Sequence, residues 1–77
     1  MLFFFDTDDG EHRVADSSGT ELPNETEAVE QAVSLLRDLS HAGVAPGAAR
    51  AFAVRVRGPG GEDLYAATLQ LRIERLG

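Results

Sequence analysis

The chain contains no cysteine and no lysine. Without thiols it has neither disulfides nor thiolate metal ligands, a composition that fits a reducing cytoplasm. Without lysine, every basic residue is arginine, a planar donor always charged. Long apolar runs are also missing. The opening Leu2-Phe3-Phe4-Phe5 is too short for a signal-peptide core, follows no basic residue and runs straight into acids. Nothing approaches the roughly 20 apolar residues of a membrane span. The expectation is a soluble, unprocessed cytoplasmic protein.

What is present is ordinary for a globular domain, with 43% hydrophobic and 26% charged residues. At 77 residues there is room for one domain, residues 1–77, of modest stability, since a chain this short buries only about 60% of its unfolded surface. The net charge of −6 is unevenly spread. Residues 1–38 carry −8 and the remainder +2. Such a chain repels nucleic acid overall while retaining a local basic face.

Leu2 to Asp6 reads as a strand and Glu11 to Asp16 as its partner. Asp9-Gly10 between them has the chemistry of a two-residue type I′ turn, which pairs Asp8 with Glu11 and Phe5 with Val14. Phe3, Phe5 and Val14 then share the core face, with Phe4 and Arg13 opposite, although three consecutive phenylalanines fit either facing and a one-residue slip would exchange the two sets. Asp16-Ser17-Ser18-Gly19 is a second turn.

The clearest local signal follows. Asn24 is placed to cap a helix and Glu27, three residues on, to reach back in a capping box. Ala28, Val29, Ala32, Val33, Leu36 and Leu39 recur at spacings of three and four, and Leu35 widens the stripe. Early glutamates, with Arg37 and His41 late, suit the helix dipole, and Gly43 is a natural stop. These features predict a helix from Glu25 to about His41.

Beyond an Ala/Gly/Pro loop, Phe52, Val54 and Val56 alternate with Ala53, Arg55 and Arg57, the period of a half-buried strand. With Gly60-Gly61 at the centre of the next turn, Val56 faces Tyr65, Val54 faces Ala67 and Phe52 faces Leu69. The predicted fold class is α+β: two β-hairpins flanking one amphipathic helix (ββαββ), with the helix on one face of an antiparallel sheet.

The acidic stretch Asp6, Asp8, Asp9 invites a cation-binding reading, but neither calcium-loop frame works. An EF-hand loop needs glycine at position 6 and a bidentate glutamate at 12. Starting at Asp6 those positions are Glu11 and Ser17, and aligning Gly10 to position 6 puts Phe5 first. A solvated hairpin tip is the plainer reading, with a weak cation site as the alternative. His12 and His41 lie in different elements without a ligand-spaced partner, and Ser17 and Ser18 have no nucleophile-elbow context. No catalytic constellation, cofactor motif or small-molecule site emerges, so a non-enzymatic role is expected. Gly58-Pro59-Gly60-Gly61 opens no helix and reads as a turn rather than a phosphate loop.

Arg55, Arg57 and Arg72 share the predicted outer face of the second hairpin among small residues, a candidate partner-binding surface for carboxylate or phosphate. Plain solvent exposure competes with it. The net charge and the absence of outward aromatics on this hairpin speak against nucleic acid. An open sheet also has free edges, which can pair with protein, including a second copy.

The segments LFFFDTDDG, DSSGTELPNETEAVEQA and AVRVRGPGGEDLY together resemble a family of short bacterial proteins built on a domain of unknown function, 6894. The resemblance spans nearly the whole chain, with Asn24 in place of the usual Asp, and its motifs are turns and caps that imply architecture but no activity. A fainter likeness is to the antitoxin half of HicA/HicB-type pairs. This chain departs from it by showing two rather than three strands before the helix, no Leu-Pro-Gly stretch and no DNA-binding extension. The expected function is a non-catalytic protein-interaction or adaptor module, self-associating as a homodimer through a sheet edge or the arginine face. The alternatives are an antitoxin-like inhibitor of a basic partner and weak nucleic-acid binding through the arginines.

Overall fold

The computed structural model describes all residues from Met1 to Gly77. The elements in chain order are β1 (Leu2–Asp8), β2 (Arg13–Val14), β3 (Thr20–Glu21), α1 (Glu25–Ser40), β4 (Ala49–Arg57) and β5 (Asp63–Arg72). All strand pairs are antiparallel, in the order β2-β1-β4-β5, and the short β3 also pairs with β1. One helix packs on one face of this sheet, the α+β architecture that the two hairpins and the amphipathic stripe predict. The strand β3 is additional: Leu2 pairs with Glu21 and Phe3 with Thr20.

The helix begins where the sequence places it. Asn24 holds an extended conformation and its side-chain oxygen accepts the Glu27 N–H at 2.9 Å, while the return bond from the Asn24 N–H to the Glu27 carboxylate that a capping box adds does not form. The His41, Ala42 and Gly43 N–H groups fold back on Asp38, Leu39 and Ser40 carbonyls, and Gly43 turns the chain out with φ +73°. Ala28, Ala32 and Leu36 are the buried helical residues. Two of these are alanines, which let the helix lie close on the sheet. They meet Phe3, Phe5, Phe52, Val54 and Val56, completing an eight-residue core with no buried polar side chain. Burial of each large side chain contributes about 1.5–3 kcal/mol, and partly buried leucines, among them Leu22, Leu35, Leu39 and Leu69, pack against the cluster. Val29 and Val33, assigned by spacing to the same stripe, lie on its margin at 36% and 38% exposure.

The second hairpin has the predicted pairs, Val56 with Tyr65, Val54 with Ala67 and Phe52 with Leu69. Its turn differs. The Gly61 N–H bonds the Gly58 carbonyl and the Gly58 N–H bonds that of Glu62, so Pro59 and Gly60 form the centre and Gly61 follows at φ +82°. This is a three-residue loop ending in a left-handed glycine. A bulge between Val56 and Arg57 skips Leu64 and restores the expected register.

The first hairpin is offset from the predicted one by two residues: Thr7 pairs with Val14 and Asp8 with Arg13. The Asp9 carboxylate explains the longer loop, because its Oδ1 accepts the Glu11 and His12 N–H groups while the Asp9 N–H bonds the His12 carbonyl. A local side-chain acceptor outcompetes the tight two-residue turn. An even shift keeps every side chain on its face, so Phe3 and Phe5 stay inside and Arg13 outside. Val14, moved beyond the helix, is 61% exposed and leaves the core.

No helix is long and apolar enough to cross a membrane.

Candidate functional site

The two sides of the sheet end very differently. On the β1 side the chain closes its own edge. Thr7 is paired by Val14, Phe3 by Thr20, and the Met1 carbonyl accepts the Leu22 N–H. Phe5 lies between these rungs, and the Asp16 carboxylate completes the row by accepting its N–H at 3.0 Å. The other Asp16 oxygen accepts the Ser18 and Gly19 N–H groups, and the Asp16 N–H donates to Asp6. One carboxylate thus stands in for a missing rung and holds the turn between β2 and β3. The Gly19 and Phe5 hydrogen bonds keep its carboxyl below the ordinary range, against the opposing effect of burial.

On the β5 side the edge is open. Ile73, just past the strand, exchanges hydrogen bonds with the chain leading into β4: its N–H meets the Ala48 carbonyl and its carbonyl takes the Gly47 N–H. Alternation along the strand directs residues 71, 69, 67 and 65 to β4 in the same way. Ala66, Thr68, Gln70 and Arg72 therefore turn their N–H and C=O groups to solvent. From Leu64 to Leu71 this edge holds no charge and no proline, the usual guards of an exposed strand.

The candidate arginines share the outer face, as predicted, but do not converge. Arg57 is engaged within the molecule. Its Nε and Nη2 grip Asp6 at 2.8 and 3.0 Å, Nη2 also reaches the Asp16 carbonyl at 2.8 Å, and the guanidinium lies 4.9 Å from the Phe4 ring centre. This bidentate hydrogen bond lowers the Asp6 carboxyl below its usual value and raises the guanidinium. Arg55 is more exposed, with Asp63 at 3.6 Å. Arg72 has Glu74 at 3.3 Å. It is paired with Ala49, whereas Arg55 is paired with Ala66, a separation of six strand positions or roughly 20 Å. Beside Arg55 a shallow depression of about 350 Å³, with Ala53, Ala66 and Thr68 among its lining, is bordered by Asp6, Asp8 and Arg13.

The acidic tip is a set of backbone acceptors. Asp8 accepts the Gly10 N–H at 2.8 Å and lies 3.3 Å from Arg13. Asp9 accepts two loop N–H groups, the His12 bond foremost in lowering its carboxyl. Asp6 is held by Arg57. No three His, Asp or Glu side chains converge at a metal-ligand spacing. The His12 side chain is 78% exposed, with the Asp9 carboxylate 3.8 Å from its Nδ1, and His41 caps the helix.

Two partners of these groups escaped the sequence reading. Arg50 threads between loops: Nε donates to the Asp9 carbonyl at 2.6 Å, Nη1 to that of Gly43 at 3.4 Å, and the guanidinium lies 5.2 Å from the Phe52 ring centre. Tyr65 donates its hydroxyl to Glu25 at 2.9 Å, which raises the phenol pKa. Neither the pairing of Arg50 with Asp9 nor that of Tyr65 with Glu25 leaves a local signal, since these partners lie 41 and 40 residues apart.

Fold and surface together define a small α+β sheet-and-helix domain with one sealed edge and one open one. Over residues 2–70 the chain matches the family described as Domain of unknown function (DUF6894), and it belongs to that family. No curated protein and no solved structure matches it.

Proposed function

We propose that the chain is a non-catalytic protein-interaction module, working in a reducing cytoplasm, whose docking element is the open edge of β5. The observation that carries this reading is the uncharged, unguarded run from Leu64 to Leu71, with outward amides at Ala66, Thr68 and Gln70. An added strand gains main-chain hydrogen bonds without requiring a pocket. The contrast with β1 supports it: the same chain devotes β2, β3 and the Asp16 carboxylate to sealing the opposite edge. The arginine face supports binding less well. Arg57 is consumed by Asp6, and Arg55 and Arg72 are far apart, each beside a carboxylate. That arrangement also weakens the nucleic-acid reading.

The test is amide hydrogen exchange of the isotopically labelled chain in lysate of its own organism. Ala66, Thr68 and Gln70 are expected to exchange at least tenfold more slowly than open-edge amides, as paired strands do. Exchange at unprotected rates in lysate would overturn the proposal.

A second reading, an antitoxin-like inhibitor of a basic partner, gains one observation. The strand β3 supplies the third strand before the helix, removing one of the departures from that pattern. A neighbouring short reading frame of high pI is its discriminator.

A further inference from the structure

We infer that the occupant of the β5 edge is the β5 of a second copy, paired antiparallel about a two-fold axis normal to the sheet near Ala67 and Thr68; this rests on the interaction-module reading above. Three observations converge on it.

The strand ends are self-complementary. Glu62 and Asp63 stand at the start of β5 and Arg72 at its end, and the intrachain pairs of Asp63 with Arg55 and of Arg72 with Glu74 are exposed ones of small worth that leave both ends accessible to a partner. Antiparallel pairing sets the acidic start of each copy against the basic end of the other, twice by symmetry, whereas parallel pairing stacks like charges.

The apolar face of β5 is only partly covered. Leu69 and Leu71 are half-buried and Tyr65 is 44% exposed. Val29 and Val33 continue, at i+4 and i+8, the helical row that Glu25 begins, and Glu25 takes the hydrogen bond from Tyr65. That row therefore lies on the β5 side of the helix, half-exposed. A two-fold axis normal to the sheet leaves both helices on the same face. The two rows of valines then flank the joined strands and narrow the bare strip between them.

Finally, the sealed β1 edge ends the assembly. An edge-to-edge contact repeated at both sides of a sheet would build a fibre, but with one edge closed the pairing stops at two copies.

The chain lacks cysteine, so a single introduced thiol is unique. Ala67→Cys and Thr68→Cys each place it on or beside the axis, where opposed Cα atoms about 4.5–5.5 Å apart are within disulfide reach. Mild oxidation is expected to give a covalent dimer with at least one of them and none with Ala53→Cys on β4. Light scattering is expected to give twice the 8.2 kDa chain mass. Arg72→Glu is expected to weaken the dimer about tenfold, and Glu62→Arg added to it to restore affinity. Thr68 is exposed, so its variant tests the pairing even if Ala67→Cys disturbs packing. A purified chain that stays monomeric at millimolar concentration, or Ala53→Cys cross-linking as readily, overturns the inference. Monomeric purified chain with lysate protection of the edge amides leaves the module reading standing, with a different occupant; loss of that protection removes both.

Discussion

Asp16 shows what a single side chain does in a domain with so small a core. Its carboxylate accepts three backbone N–H groups, those of Phe5, Ser18 and Gly19. Asp16→Ala strands the part-buried Phe5 N–H, and a group so orphaned costs about 1–3 kcal/mol. Urea unfolding is expected to show a loss of that size, with a smaller one for Asp16→Asn, which keeps an acceptor. Arg57→Ala is expected to lower the melting temperature by several degrees, since it releases Asp6 and uncovers Phe4, while Arg55→Ala leaves it within a degree, as exposed pairs contribute little. The pH dependence has a definite sign. Asp6, Asp9 and Asp16 are all lowered in the folded chain by hydrogen bonds to their charged forms, so the unfolded chain binds protons first as pH falls. Their contribution is complete above the ordinary carboxylate value near 4 and is lost progressively below it. Denaturation midpoints measured between pH 7 and 2 are expected to hold to about pH 4.5 and then fall, more shallowly in Asp16→Asn. Sequence reading recognised Asp16 and Asp9 as turn formers. It missed that Asp16 also serves a strand eleven residues earlier, because the partner is a backbone amide that any residue supplies.

Elements follow local chemistry closely where one residue decides. Asn24 starts the helix through its bond to the Glu27 N–H, and Asn24→Ala is expected to cost about 1 kcal/mol in urea unfolding, with helicity by circular dichroism otherwise intact. Helix bounds, the alternation of β4 and the pairing of β4 with β5 were all legible for that reason. Turn geometry was less so. Asp9-Gly10 supports a two-residue turn, but Asp9 instead accepts two N–H groups in a longer loop, whose Asp9 carbonyl Arg50 also holds from β4. Val29 and Val33 have the spacing of core residues, yet a helix over a sheet buries a narrow strip, and the alanines at 28 and 32 mark its centre. The candidate arginines were placed on the right face, while the capture of Arg57 by Asp6 needed the contact between β1 and β4.

For the whole molecule the decisive feature is which strands lie at the edges. If β5 pairs with its copy, unfolding is coupled to dissociation, and the melting temperature is expected to rise with protein concentration between micromolar and millimolar, reaching a constant value in Thr68→Pro, which removes an outward N–H. The amino-acid sequence alone determined the helix and its N-cap, the inward faces of the second hairpin and the uneven charge, since each rests on residues within a few positions of one another. Only the tertiary structure decided that β1 sits beside β4, that Asp6 and Asp9 are held by arginines from the other half of the chain, and that one edge is sealed while the other stays open. Those outcomes depend on strand order, which is set by how the two hairpins bury Phe3, Phe5, Phe52, Val54 and Val56 under one helix, and no local pattern encodes it.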